Sequence, residues 1–146
     1  MKISKYFDLR ELIPKEIYDK LGDDSTRFIN KQIPIVLDFF RDYFAHKIII
    51  NDWLYGGEFN YSGFRPSSCK VGAELSSHKL GCAMDLKFDG IKDYKSIIQT
   101  IKDNWYSVFK KCGVTAIEEG TEGWLHVSTE WTNKPGLVII PFWTGK

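Results

Sequence analysis

Charge of one sign is missing from this chain: twenty basic against nineteen acidic residues leave a net charge of +1 over 146 residues. Nothing in the charge therefore suggests a polyanion such as nucleic acid as a partner. Cysteine is scarce too. Cys69, Cys82 and Cys112 cannot all pair, and their spacing resembles no zinc knuckle, so the chain reads as one kept reduced. Long apolar runs are absent. No segment approaches the ~20 apolar residues that cross a bilayer, which argues against membrane insertion. The first twenty-one residues hold no apolar run of signal-peptide length, so the expectation is synthesis in the cytoplasm without a signal peptide. Repeats, low-complexity tracts and linkers are missing as well. The length suits one domain, 1–146, with a core of its own, and a monomer is expected.

Aromatic residues, by contrast, make up 15% of the chain; most should be core, and an exposed subset would suit a sugar or peptide cleft. Pro14 to Gly22 reads as a short helix. A longer helix runs from Asp24 or Ser25 to about Ala45, with Phe28, Ile29, Ile33, Val36, Leu37, Phe40 and Phe44 at helical spacing. Pro34 should kink or split it. Lys47 to Trp53 is a strand by its β-branched run, and 54–76 is a Gly- and Ser-rich loop. A strand over 82–88 precedes a helix from 92 to about 110, whose apolar stripe is Tyr94, Ile97, Ile98, Ile101, Trp105 and Phe109. Strands follow near 114–118, 124–129 and 136–142. The pattern predicts an α+β fold in which a small antiparallel sheet packs against helices. A helical part occupies about 1–45 and a core carrying the functional site about 47–142.

Histidine is the scarcest informative residue. Of three, His78 and His126 lie in Ser77-His78-Lys79-Leu80-Gly81-Cys82-Ala83-Met84-Asp85 and Trp124-Leu125-His126-Val127-Ser128. After Gly81, Cys82, Met84, Leu86 and Phe88 share one parity and Ala83, Asp85 and Lys87 the other. Successive strand side chains face opposite ways, so the apolar set meets a core and Asp85 projects beside the small Ala83. Cys82, on the core parity, is expected to be a buried thiol. In the second stretch Leu125 and Val127 face inward, while Trp124, His126 and Ser128 share the other side. His78 arrives from the loop before the first strand, where Gly81 permits a tight turn and leaves room near a metal. Two imidazoles and one carboxylate are the ligand set of a zinc ion with one open position. The metal ligands predicted are His78, Asp85 and His126, and the cofactor Zn2+. His46, between a helix and a strand, is read as a surface or helix-terminal residue and not a ligand.

SHKLGCAMD resembles the S-x-H-x-x-G-x-A-x-D signature, and WLHV the W-x-H segment, of the zinc D-alanyl-D-alanine carboxypeptidases and L-alanyl-D-glutamate endopeptidases. Tyr61-Ser62-Gly63-Phe64-Arg65-Pro66 is similar to a third element of that family, S-G-[YF]-R, in the same order and at similar spacing. The likeness spans roughly residues 60 to 130. It implies a zinc peptidase of peptidoglycan stem peptides. Bacteriophage endolysins contribute many members, so the protein would act on the cell wall after release or as part of a phage particle. The same fold and metal site occur in the Hedgehog signalling domain, which keeps a non-catalytic binding module, or a structural role in a virion, as rival readings.

A peptidase of this kind needs a carboxylate that takes a proton from water and passes it to the leaving amine. The candidates are Glu118, Glu119 and Glu122. If Ile117 faces the core, Glu118 faces the metal, and a three-residue turn at 120–122 would set it across from Trp124. Glu122 stands four residues before His126, and the acid of the resembled family sits only a few residues before its last histidine. Glu118 is favoured over Glu122, and both over Glu119. Arg65 is expected to clamp a substrate carboxylate or carbonyl with its planar fork; the bland alternative is a loop-stabilising surface arginine. Ser77, or its neighbour Ser76, would orient the loop or hydrogen-bond near the metal, and Trp124 would wall the cleft.

Overall fold

Alternating side chains at Met84, Leu86 and Phe88 put three apolar groups on one face of a six-residue strand, and all three are buried. In the computed structural model, which describes residues 1–142, that strand lies inside a five-stranded sheet. The last four residues of the expected domain lie outside the described residues. The strands are β1 (Ile48–Ile49), β2 (Ala83–Phe88), β3 (Ala116–Glu119), β4 (Leu125–Ser128) and β5 (Val138–Pro141), in the spatial order β1-β2-β4-β3-β5. Among the described residues four α-helices accompany them: α1 (Lys15–Leu21), α2 (Gln32–Phe44), α3 (Tyr94–Asp103) and the short α4 (Lys110–Cys112). The α+β class is as expected, but the sheet is mixed. β1, β2, β4 and β3 pair antiparallel, whereas β5 runs parallel to β3 at its outer edge. None of these helices is long and apolar enough to cross a membrane.

The long helix expected from residue 24 to 45 is two elements. A 3-10 stretch covers Gly22–Phe28, and α2 starts afresh at Gln32. Asn30 makes the break: its side-chain oxygen accepts from Gln32 N at 2.9 Å, and its own N–H donates to Gly81 O at 3.0 Å. Pro34 then falls in the first turn of α2, where its missing N–H is one that no helical carbonyl would have met, and it costs nothing there. The predicted strand 47–53 shrinks to β1 because the N–H of Asn51 turns away to Glu11 O at 2.9 Å. Ser62 O takes over beside β2, accepting from Asp85 N at 2.7 Å. The helix predicted over 92–110 buries its whole apolar stripe, yet it widens into a π-turn at Trp105–Phe109 before α4.

One apolar cluster joins the early helices to the sheet: Phe7, Leu12, Ile33, Val36, Leu37 and Phe40 pack with Met84, Leu86, Ile117 and Val127. Residues from Phe7 onward thus brace the sheet that carries the site. Cys82 departs from its expected burial. It precedes β2 and is partly exposed, so strand parity does not govern it.

Candidate metal centre

Asp85 on β2 and His126 on β4 are cross-strand partners in the sheet register. Their shared parity places both on the face away from Met84, Leu86 and Val127, as the alternation predicts. His78 enters from the 3-10 turn Ser77–Leu80. Ser76 caps that turn by accepting from His78 N at 3.2 Å, and Gly81 closes it at φ +71. A Cβ at Gly81 would fall on the Phe28 carbonyl oxygen. The glycine therefore leaves room for backbone from the neighbouring element, not for a metal.

Three ligand atoms converge. His78 Nε2 lies 3.2 Å from Asp85 Oδ1 and 3.2 Å from His126 Nδ1, which is itself 3.0 Å from Asp85 Oδ1. These separations approach the ~3.3 Å edge of a tetrahedron with about 2.0 Å bonds. The outer atoms are each engaged. His78 Nδ1 donates to Gly63 O at 2.8 Å, which leaves Nε2 as a lone pair aimed at the cluster. His126 Nε2 meets Ser128 Oγ at 3.0 Å, and Asp85 Oδ2 accepts from Arg65 Nη2 at 3.2 Å. Two imidazole nitrogens and a carboxylate oxygen facing one another this closely make a set that a cation could fill. The group is buried enough to hold one and could bind a metal ion.

The electrostatics agree with the geometry. Burial pushes His78 below its ordinary pKa, favouring the neutral ring that ligates. Burial alone would raise Asp85, but His78 and His126 outweigh it and hold the carboxyl well below the usual carboxylate range.

The cluster forms the wall of a cavity of about 290 Å³ that also meets Arg65, Glu118 and Trp124. Glu118 is half-buried at the end of β3. The register pairs Ala116 with Ser128 and Ile117 with Val127, so one step on it stands opposite His126, not opposite Trp124 as expected. The turn is longer than three residues, but the shift is by two positions and the facing side is kept. Burial pushes the Glu118 carboxyl above its ordinary value, against the pull of His126. Glu119 and Glu122 are exposed and border a separate cleft with Lys95 and Lys102; Lys102 Nζ donates to Glu119 at 2.8 Å.

Arg65 is no surface residue: it is 8% exposed. Its Nε donates to Tyr61 O at 2.7 Å, while Nη2 holds Asp85. Ser77 does not reach the cavity; its Oγ donates to Glu130, and Ser76 lines the wall instead. Trp124 lines the cavity with Phe142, their rings edge to face at 5.6 Å. Phe142 and the loop Val71–Ala73 escaped the sequence reading. Phe142 arrives through the parallel pairing of β5, which no local pattern encodes. Gly72, at φ +75, faces the Arg65 guanidinium, where a Cβ would lie 2.6 Å from Nη1. His46 sits apart, its Nδ1 3.0 Å from Asp89 O. No family model, curated protein or solved structure matches this chain.

Proposed function

We propose that the protein is a zinc-dependent peptidase of peptidoglycan stem peptides, of the D-alanyl-D-alanine carboxypeptidase or L-alanyl-D-glutamate endopeptidase kind. The observation that carries this reading is the convergence of His78, Asp85 and His126 in a cavity that also holds Glu118 and Arg65. Two nitrogens and one oxygen without a thiolate favour zinc among the common ions. When bound, the ion would supply Lewis acidity, bringing the pKa of water toward ~7 and polarising a scissile carbonyl.

The chain's own groups do the rest. Glu118 takes the proton of the attacking water and returns it to the leaving amine; a carboxyl raised by burial is better matched to that exchange than an exposed one. Arg65 fixes Asp85 through one edge of its guanidinium and borders the cavity beside it, where a substrate oxygen would find a planar donor. Trp124 and Phe142 give the peptide an apolar wall and limit water at the reacting bond.

The reading is tested by hydrolysis of a synthetic stem peptide followed by mass spectrometry, with and without chelator. Glu118→Gln should keep its metal and lose at least ~10² in kcat, whereas Glu122→Gln should stay near wild type. Cleavage that survives chelation, or no cleavage by the metal-loaded protein, overturns the proposal.

A further inference from the structure

A second cavity, of about 540 Å³, has no part in this chemistry. It lies between the residues that follow β4 and the widened turn at Trp105–Phe109. One wall is Trp131, 91% exposed, although the fold buries Trp105 to 6%. Trp105 lines the cavity too, fixed by donation from its Nε1 to Val114 O at 2.9 Å. Helices gain nothing locally from a π-turn, and such turns concentrate at functional sites. Here the turn sets Tyr106, 68% exposed, edge-on to Trp105 at 4.8 Å between centroids. Lys110 Nζ lies 5.6 Å from the Trp105 ring and 5.3 Å from that of Tyr106. Thr129, Glu130 and Thr132 line the cavity as well.

We infer that this cavity is a carbohydrate-binding site, in which the apolar face of an amino-sugar ring stacks on Trp131. A pyranose presents one face of C–H groups and an edge of hydroxyl and amide groups. It therefore needs a flat apolar surface bordered by both donors and acceptors, and that combination is what the cavity offers. A nucleic-acid strand also stacks on aromatic rings, and Lys110 and Lys134 line the cavity, but Glu130 offsets one of them and the whole chain carries a net charge of only +1. An apolar peptide would bring no hydrogen-bonding side chains to these polar residues. Glu130 also accepts from Ser77, the residue before His78, so one short turn of chain separates the cavity from the metal centre. The choice of N-acetylated amino sugar rests on the peptidoglycan reading, because stem peptides hang from such sugars.

The test is titration of the full chain with the N-acetylglucosamine tetramer, followed by tryptophan fluorescence and heteronuclear NMR. Saturable binding is expected, weakened about tenfold or more by Trp131→Ala. The melting temperature of that variant should be unchanged, since the side chain is almost wholly in water. Chelator and His126→Ala should leave the sugar affinity as it was. Absence of saturable binding, affinity indifferent to Trp131→Ala, or preference for a single-stranded oligonucleotide overturns the inference. Sugar binding without stem-peptide hydrolysis would sink the peptidase reading and leave this site standing. Hydrolysis without sugar binding would do the reverse.

Discussion

Arg65 ties together three pieces of chain. Its guanidinium holds the Tyr61 carbonyl, the Asp85 carboxylate and the face of Gly72, in a position that is 8% exposed. Although it sits in a Gly- and Ser-rich loop, Arg65 forms a buried ion pair with Asp85 that bears on stability. Arg65→Ala should lower unfolding free energy by about 2 kcal/mol or more, since it strands a buried carboxylate. Arg65→Lys should recover only part, because an ammonium cannot reach two partners in one plane. Urea denaturation of both variants checks this, and a lysine variant as stable as wild type would contradict it. The motif made Arg65 visible in the sequence, but not its burial, because its ion-pair partner, Asp85, lies twenty residues away. The cysteines offer a second check at this scale. Cys112 is buried and its thiol is pushed up to about 11, whereas Cys69 and Cys82 are partly exposed. A thiol reagent at neutral pH should label Cys69 and Cys82 in the folded protein and Cys112 only after unfolding; fast labelling of Cys112 would show that its pocket opens.

Elements place the candidate ligands more firmly than any single contact does. β2 and β4 were legible from alternation alone, because each has one face in the core, and their parity puts Asp85 and His126 side by side. The turn that brings His78 depends instead on a close approach that no pattern encodes, between Gly81 and the Phe28 carbonyl. Gly81→Ala combines that collision with a φ of +71, so it should cost about 2 kcal/mol or more and weaken metal binding as well. Thermal unfolding together with a metal titration would report both losses, and a variant with native affinity would show that the turn tolerates the shift. The break between the 3-10 stretch and α2 was foreseen only in outline, through Pro34. What fixes it is Asn30, whose backbone partner is Gly81, fifty-one residues on.

At the scale of the whole molecule, the class and most of the core followed from periodicity, while the order of the strands did not. Val138–Pro141 reads as a strand from its apolar run, but its parallel seat outside β3 is a non-local choice made by the chain between β4 and β5. That seat delivers Phe142 to the cavity. Global stability should also carry a signature of the pair formed by Asp8 and Arg10 at the 3-10 turn Leu9–Glu11. Asp8 accepts from Arg10 Nε at 2.8 Å and from Nη2 at 3.0 Å, and these hydrogen bonds hold its carboxyl below the ordinary value of 3.8. The unfolded chain then binds this proton more tightly than the folded one. The contribution is complete above the ordinary value and is lost as pH falls through the lower folded one. Wild type should therefore lose stability on acidification below about pH 4 more steeply than Asp8→Asn; equal slopes in urea midpoints would contradict the assignment.

Whether His78, Asp85 and His126 form one metal centre is decided by elemental analysis after zinc loading and gel filtration. One zinc ion per chain is expected, with close to none in His78→Ala or His126→Ala variants that stay folded. Wild-type protein that emerges without metal, or either variant that retains a full equivalent, would contradict it.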